Sequence, residues 1–314
     1  MIKSARPAPS SRGDGIFKGI IIFIALCIVA IFGLSMYELY TSGKDAFSTF
    51  GFFGFIGSSI WDPVAQRFGA WTFIAGTALT SVLALVIAVP LALASAIFVT
   101  EYAPRWLSEP VSYLVELLAA IPSVIYGLWA IFVLVPIVRN LQLSVLLNPN
   151  LREIDLIQVT APSGLGLLTA VLILAVMVIP YTASVARDVI RLVPQEQREA
   201  AYALGATKWE VIRTAILPYA RAGIMGGVIL SLGRALGETI AVTMVIGNTT
   251  QVPKSIFDST ATMASVIANQ FGEASGLQLS SLIGLGFLLF LLSVVVNFTA
   301  RIIIARLTPE GIKV

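Results

Sequence analysis

The sequence predicts an all-α membrane protein with six spanning helices. Hydrophobic residues make up 57% of its 314 residues and charged residues only 12%, and the mean hydropathy is +0.92. A helix needs roughly 20 apolar residues to cross the hydrocarbon core of a bilayer. Five apolar stretches without Asp, Glu, Lys or Arg meet this need, and a sixth is interrupted by two charges. In chain order the six are 19–37, 68–100, 117–138, 156–186, 222–246 and 274–300.

The positions of Lys and Arg predict that both termini are cytoplasmic (N-in/C-in). Cytoplasmic connections of membrane proteins carry an excess of these residues. Fourteen of the 20 Lys and Arg residues fall on the side that holds both termini and the connection after the fourth span, and five fall on the opposite side. We therefore expect a cytoplasmic tail over 1–18, a first span with an outer segment over 19–70, a core of five further spans over 71–307 and a second tail over 308–314.

The outer segment contains the run FGFFGFIGSSIWDP, in which aromatic residues alternate with glycines. Trp and other aromatic side chains are favoured at the headgroup level of a membrane. The run is therefore expected at the membrane surface, and a docking surface for an external protein is the alternative.

Prolines within the second, third and fourth spans predict kinked helices. A proline removes a backbone donor and frees a carbonyl, which a membrane protein tolerates where neighbouring helices, hydroxyl groups or water satisfy it. Kinks round a central cavity and kinks that serve only packing are both compatible with this pattern. The prolines are Pro90, Pro122, Pro136 and Pro180.

Several classes of chemistry are excluded by composition. The chain has no histidine, which rules out histidine-dependent triads and zinc-helix motifs. Its one cysteine, Cys27, lies inside the first span and has no partner for a disulfide. The nearest approach to a phosphate loop, GNTTQVPKS over 247–255, lacks the glycine before the lysine. We expect no enzyme activity and no metal or other cofactor, so any ATP must be hydrolysed by a partner.

One long polar stretch, PQEQREAAYALGATKWEVIRTAILP over 194–218, separates two very apolar segments on the cytoplasmic side. Its first helix should begin at Pro194 and stop at Gly205, because proline fits the first helical turn and glycine the left-handed cap. Thr207 and Glu210 form a capping box that opens a second helix, which ends or kinks at Pro218. The stretch is therefore predicted to be a helix–turn–helix on the surface of an apolar bundle.

Two charges, Arg234 and Glu238, interrupt the fifth predicted span. A charge at the centre of a spanning helix costs roughly 2.5–3.5 kcal/mol on insertion scales, so such residues face a protein interior or water. At a spacing of four residues the two can pair on one helix face. A guanidinium fork suits an oxyanion, with Glu238 holding the fork when the site is empty. A purely structural ion pair is the alternative. Glu116 and Asp188 lie at predicted helix ends, where charges snorkel to the interface.

A resemblance to a known family starts from the polar stretch. EAAYALG, followed after nine residues by AILP, resembles the EAA signature of the integral-membrane subunits of bacterial ABC importers. Ala215 stands where the signature has isoleucine, with Ile216 beside it. Further segments, including IPSVIYGLW and GRALGETIAV, resemble the C-type permease subunits of phosphate importers. The matching signature residues are Glu199, Ala200, Ala201, Gly205, Leu217 and Pro218.

The resemblance implies the type I ABC importer permease fold in a bacterial inner membrane. It further implies phosphate passage at Arg234 and Glu238 and a coupling loop, 191–218, that contacts a cytoplasmic ABC ATPase dimer. The other implied partners are a second, homologous permease subunit and a periplasmic phosphate-binding protein. Three alternatives remain at this point: the same architecture for sulfate or molybdate, a self-contained secondary carrier or channel, and a structural membrane scaffold.

Overall fold

A computed structural model describes residues 12–152 and 154–307, and within them the fold is almost entirely helical. The predicted tail at 308–314 and the first 11 residues lie outside the described residues, whereas residues 12–18 already belong to the first helix. The α-helices are α1 Arg12–Ser42, α2 Lys44–Phe50, α3 Phe52–Gly57, α4 Trp71–Ile97, α5 Arg105–Ala119, α6 Ser123–Trp129, α7 Val135–Leu147, α8 Pro149–Arg152, α9 Leu167–Arg191, α10 Gln195–Ala203, α11 Lys208–Val211, α12 Leu217–Gly237, α13 Ile240–Val245, α14 Met263–Gln270 and α15 Gly276–Leu307. A short 3₁₀ helix covers Asp155–Ile157.

Among residues 12–152 and 154–307, the structure confirms six helices that are long and apolar enough to cross a membrane. Three of them contain or end in a π-helical turn, at Phe98–Tyr102, Ala130–Leu134 and Ile212–Ile216. Because the number of spans is even, the start of the first span and the end of the last span lie on the same side of the membrane. The spans are Gly13–Ser42, Trp71–Tyr102, Ser123–Leu147, Leu167–Arg191, Lys208–Gly237 and Gly276–Ile302.

Several predicted span boundaries were wrong: the fourth span begins at Leu167 instead of residue 156, and the fifth begins at Lys208 instead of residue 222. Two further errors come from breaks between helices. The third span begins at Ser123 instead of residue 117, because the preceding residues form the separate amphipathic helix α5 and the chain turns before Pro122 caps α6. The fifth span ends at Gly237 instead of residue 246, because the extended backbone of Glu238 separates α12 from the short helix α13. Both errors arise because an unbroken apolar run does not reveal where its helix stops.

The four prolines at which kinks were predicted occupy two different kinds of position. Pro90 and Pro180 lie inside α4 and α9, as expected of kinked spans. Pro122 instead precedes α6, and Pro136 lies in the first turn after a π-helical turn. Neither of these two interrupts a regular α-helix, because proline is compatible with a helix start.

The fourth span, α9, is the central helix of the bundle. Of its most apolar 18 residues 61% are buried, whereas none of the most apolar 18 residues of α1 is buried. Along α9 the neighbouring α12 approaches closely, because Gly223 and Gly227 face Val189 and Val185 and a Cβ at either glycine would collide with these valines. Small residues four apart allow this close approach between membrane helices.

The outer segment folds into a small aromatic core. The antiparallel strands β1 (Trp61–Asp62) and β2 (Arg67–Phe68) pair Trp61 with Phe68, and the two ring centroids are 4.9 Å apart. Phe55 and Phe73 are also buried in this cluster, while Phe53 is exposed. Most rings of this aromatic run therefore pack against one another, a compact core that the sequence analysis did not include.

Gly76 allows α4 to pass directly against the loop between α13 and α14. A Cβ at this position would collide with the backbone carbonyl oxygen of Ala261, which cannot move aside as a flexible side chain could. We predict that Gly76→Ala lowers the free energy of unfolding by about 1–3 kcal/mol, the usual cost of overpacking. Thermal unfolding of the purified protein in detergent measures the effect. Gly33→Ala in α1, where a Cβ would meet nothing within 4 Å, is the matched control, and equal unfolding temperatures for both variants would contradict the prediction.

Candidate functional site

Arg234 is a charged residue near the end of the fifth candidate span. It is exposed in the last turn of α12. It follows Arg221 by about 20 Å of helix at 1.5 Å per residue, well inside a core of roughly 30 Å. The guanidinium carbon lies over the ring of Tyr181 on α9, 5.7 Å from the ring centroid, which is within the range of a cation–π interaction. The sequence analysis did not identify Tyr181 as a partner of Arg234. Its position directly after Pro180 is the one feature of the sequence that could have drawn attention to it.

A buried hydrogen bond fixes α12 against α9 close to this arginine. The hydroxyl oxygens of Thr182 and Ser231 are 2.7 Å apart, and both residues are buried. Thr182 directly follows Tyr181, and Ser231 precedes Arg234 by about one turn. This bond and the close glycine packing below it set the position of Arg234 over the Tyr181 ring.

Glu238 does not share a continuous helix with Arg234, so the predicted pairing on one helix face was wrong. Glu238 is the first residue after α12, with ψ at 123°. Its Oε1 accepts a hydrogen bond of 3.3 Å from the backbone N–H of Ala241, at the start of α13. A carboxylate is stabilised at a helix N-terminus by the unpaired N–H groups and the helix dipole. Glu238 therefore caps the next helix instead of holding the arginine.

The ion pairs of residues 12–152 and 154–307 lie elsewhere, on the cytoplasmic side. Arg187 on α9 contacts Glu116 of α5 at 2.7 Å and its neighbour Asp188 at 2.9 Å. Glu116 and Asp188 are exposed, as expected of charges at helix ends, but both also pair with the buried Arg187. The sequence analysis did not predict this pairing. No group of three potential metal ligands occurs in this part of the chain. Arg234 has no carboxylate partner among the described residues. The alternative in which Arg234 and Glu238 form a structural ion pair is therefore not supported.

The polar stretch forms the predicted pair of helices, α10 and the helix that starts with α11. Gly205 has φ at +82°, the left-handed conformation expected of a glycine that ends a helix. Glu210 accepts from the backbone N–H of Thr207 at 2.7 Å, and the Thr207 hydroxyl accepts from the N–H of Glu210, which confirms the capping box. The second helix continues without interruption into α12, so Pro218 does not end it.

The signature residues divide into an exposed and a half-buried set. Glu199, Ala200, Gly205 and Pro218 are exposed, whereas Ala201 and Leu217 are half-buried. Large apolar side chains are also exposed around them, which is unusual on a cytoplasmic surface unless another protein covers it. These side chains are Leu192, Tyr202, Leu204 and Trp209.

Two contacts anchor this element to the end of the second span, and the sequence analysis missed both of them. Arg198 on α10 forms an ion pair of 2.6 Å with Glu101 in the π-helical turn after α4. Lys208, at the start of α11, places its ammonium 4.7 Å from the centroid of the Tyr102 ring. The partners are about 100 residues apart in sequence, and no local pattern indicates the pairing.

Six candidate spans, with an exposed arginine near the end of the fifth and a helix–turn–helix on the cytoplasmic side, indicate a multi-pass membrane protein. Residues 88–309 match the family described as binding-protein-dependent transport system inner membrane component. The chain belongs to this family, and it is accordingly a multi-pass protein of the bacterial inner membrane and not an enzyme.

Curated relatives are similar over almost the whole chain. The phosphate transport system permease protein PstC of Pasteurella multocida is 47% identical over 92% of this chain and 90% of the relative. The protein of the same name in Haemophilus influenzae is 44% identical over 94% of each chain. A permease chain from a bacterial ABC transporter involved in alginate import superposes with a TM-score of 0.60 at 18% identity, covering 95% of this chain and 99% of the other. A chain of the MetNI methionine ABC transporter gives a TM-score of 0.55 at 18% identity, over 80% of this chain and all of the other. These structures confirm the ABC importer permease fold.

Proposed function

We propose that this chain is a membrane-spanning subunit of an ATP-driven importer that carries inorganic phosphate across the bacterial inner membrane. The observation that carries the proposal is Arg234, exposed near the end of the fifth candidate span and positioned over the Tyr181 ring. A charge in this position must face water or another protein. The relatives described above, which carry the name of phosphate permeases, supply the substrate.

Arg234 is assigned to phosphate passage because its planar fork of N–H donors matches two oxygens of an oxyanion. The Tyr181 ring supports one face of the guanidinium and leaves its edge free to donate. Glu238 lies at the junction of α12 and α13, where its carboxylate keeps the end of the spanning helix in place. We assign Glu238 to the pathway as the residue that shapes this junction.

A second, homologous permease subunit would complete the pathway. The exposed end of α12 at Gly237 borders an open groove of about 690 Å³ between α1 and α15. Lipid would satisfy the phenylalanine and leucine side chains of this groove, but it would not satisfy the exposed guanidinium of Arg234 in the preceding turn of α12. A partner permease facing this side would enclose the arginine in a water-filled path between the two subunits.

The helix α10 and the residues that follow it are assigned to ATPase coupling. Glu199, Ala200 and Gly205 lie on the exposed side of the element, and the small side chains allow a close approach by a groove on the ATPase. Ala201, Leu217 and Pro218 connect this contact to α12, the span that carries Arg234. A periplasmic phosphate-binding protein would deliver the substrate on the outer side, and rocking of the spans would alternate access.

The test is reconstitution of the complete complex, with a second permease, ATPase dimer and binding protein, into vesicles. We expect uptake of radiolabelled phosphate that requires ATP and that excess sulfate or molybdate does not displace. Displacement by sulfate or molybdate would favour the alternative of another oxyanion importer. Uptake that persists without the ATPase would instead indicate a self-contained secondary carrier.

A further inference from the structure

The side chain of Arg198 joins three elements on the cytoplasmic side. Its Nη1 donates to Oε1 of Glu101 at 2.6 Å, and its Nη2 donates to the backbone carbonyl of Ile190 at 2.9 Å. Glu101 belongs to the π-helical turn that ends the second span, and Ile190 to the last turn of α9. Arg198 itself lies on α10, directly before the signature residue Glu199. One guanidinium therefore links the coupling element to the ends of two spanning helices.

Both partners of this ion pair are withdrawn from water. The side chain of Glu101 is 9% exposed and that of Arg198 is 16% exposed. Salt screens such a pair much less than a surface pair, and removing one partner leaves an uncompensated charge behind. A planar guanidinium can donate to the carboxylate and to the carbonyl at the same time, which an ammonium group matches less well.

A second contact attaches the other arm of the element to the same place. Lys208, which begins the helix after Gly205, lies over the ring of Tyr102, the residue next to Glu101. Both arms of the helix–turn–helix therefore rest on the π-helical turn Phe98–Tyr102. Turns of this kind are frequent at functional positions within helices.

We propose that Arg198 is a positioning residue that transmits movement of the coupling helix α10 to α4 and α9. The proposal rests on the proposed function, because it assumes that α10 contacts the ATPase. Since α9 carries Tyr181 beneath Arg234, displacement of the α9 end by Arg198 reaches the pathway through one rigid helix. Without the link, α10 follows the ATPase while α4 and α9 lag behind, and ATP is hydrolysed without transport.

The test compares Arg198→Gln, Glu101→Gln and the charge swap Glu101→Arg with Arg198→Glu in the reconstituted complex. The measured quantity is the ratio of phosphate transported to ATP hydrolysed. We expect a fall of about tenfold or more for each single variant and partial recovery in the swap, because the swap restores the ion pair but not the bond to Ile190. Arg105→Gln is the matched control, since Arg105 is an exposed arginine four residues after Glu101, and its ratio is expected to be unchanged.

Several outcomes overturn the positioning role. One is an unchanged ratio in Arg198→Gln; another is a swap that accumulates normally and recovers nothing. If Arg198→Gln does not assemble, Arg198→Lys provides the test, because it keeps the charge and loses the double donation. A several-fold lower ratio then supports the proposal, and a wild-type ratio refutes it. A wild-type complex without ATP-dependent phosphate uptake contradicts the proposed function instead, which separates the two failures.

Discussion

Replacement of Arg234 by alanine is expected to reduce phosphate uptake by at least about 100-fold while the protein remains folded in the membrane. A hydrogen bond that involves a charged group contributes about 1.5–3 kcal/mol, and a fork that makes two of them loses both. The exposed side chain makes no ion pair within residues 12–152 and 154–307, so its removal leaves no buried charge behind in this chain. The measurement is ATP-dependent uptake of radiolabelled phosphate at equal amounts of inserted protein.

Arg234→Lys separates charge from geometry in the same assay. Lysine keeps the positive charge but presents a compact ammonium in place of a planar fork, so we expect uptake between those of the wild type and the alanine variant. Arg105→Ala, at an exposed cytoplasmic arginine, controls for the loss of a positive charge. Full uptake by Arg234→Ala would remove this arginine from the pathway.

The sequence was sufficient to predict the features that local patterns determine. Five uncharged apolar runs and a sixth with two charges predicted the six spans, although not their exact ends. Proline, glycine and the Thr207–Glu210 pair predicted both helices of the coupling element. The charge of Arg234 inside an apolar span was equally visible. Each of these features depends on residues within one or two helical turns, so it does not require knowledge of the packing.

Features that depend on packing could not be predicted in this way. The Arg198–Glu101 ion pair joins residues 97 positions apart, and it forms because α4 and α9 end side by side. Tyr181 supports Arg234 because the Thr182–Ser231 hydrogen bond fixes two spans against each other. The position of Glu238 depends on the break after Gly237, which places its carboxylate within reach of the backbone N–H of Ala241 at the start of α13.

Glu199→Lys is expected to leave the protein inserted and stable but to separate ATP hydrolysis from transport. Glu199 is exposed on α10, and its side chain makes no hydrogen bond or ion pair with another described residue. The fold therefore does not depend on it, and any loss must arise at a contact with another protein. Under the proposed coupling role, reversal of its charge places a long cation where the ATPase would meet a carboxylate, and like-charge contacts at an interface cost several kcal/mol. Phosphate transported per ATP should fall by about tenfold or more.

The matched control is Glu109→Lys, which makes the same change of charge at an exposed glutamate on the cytoplasmic helix α5. Because α5 lies outside the coupling element, this variant should keep the wild-type ratio of phosphate to ATP. Unfolding temperatures in detergent should be equal for the wild type and both variants, which establishes that the fold is intact. If Glu199→Lys transports phosphate with wild-type coupling, the exposed side of α10 does not contact the ATPase, and the energy of ATP hydrolysis must enter this chain at another surface.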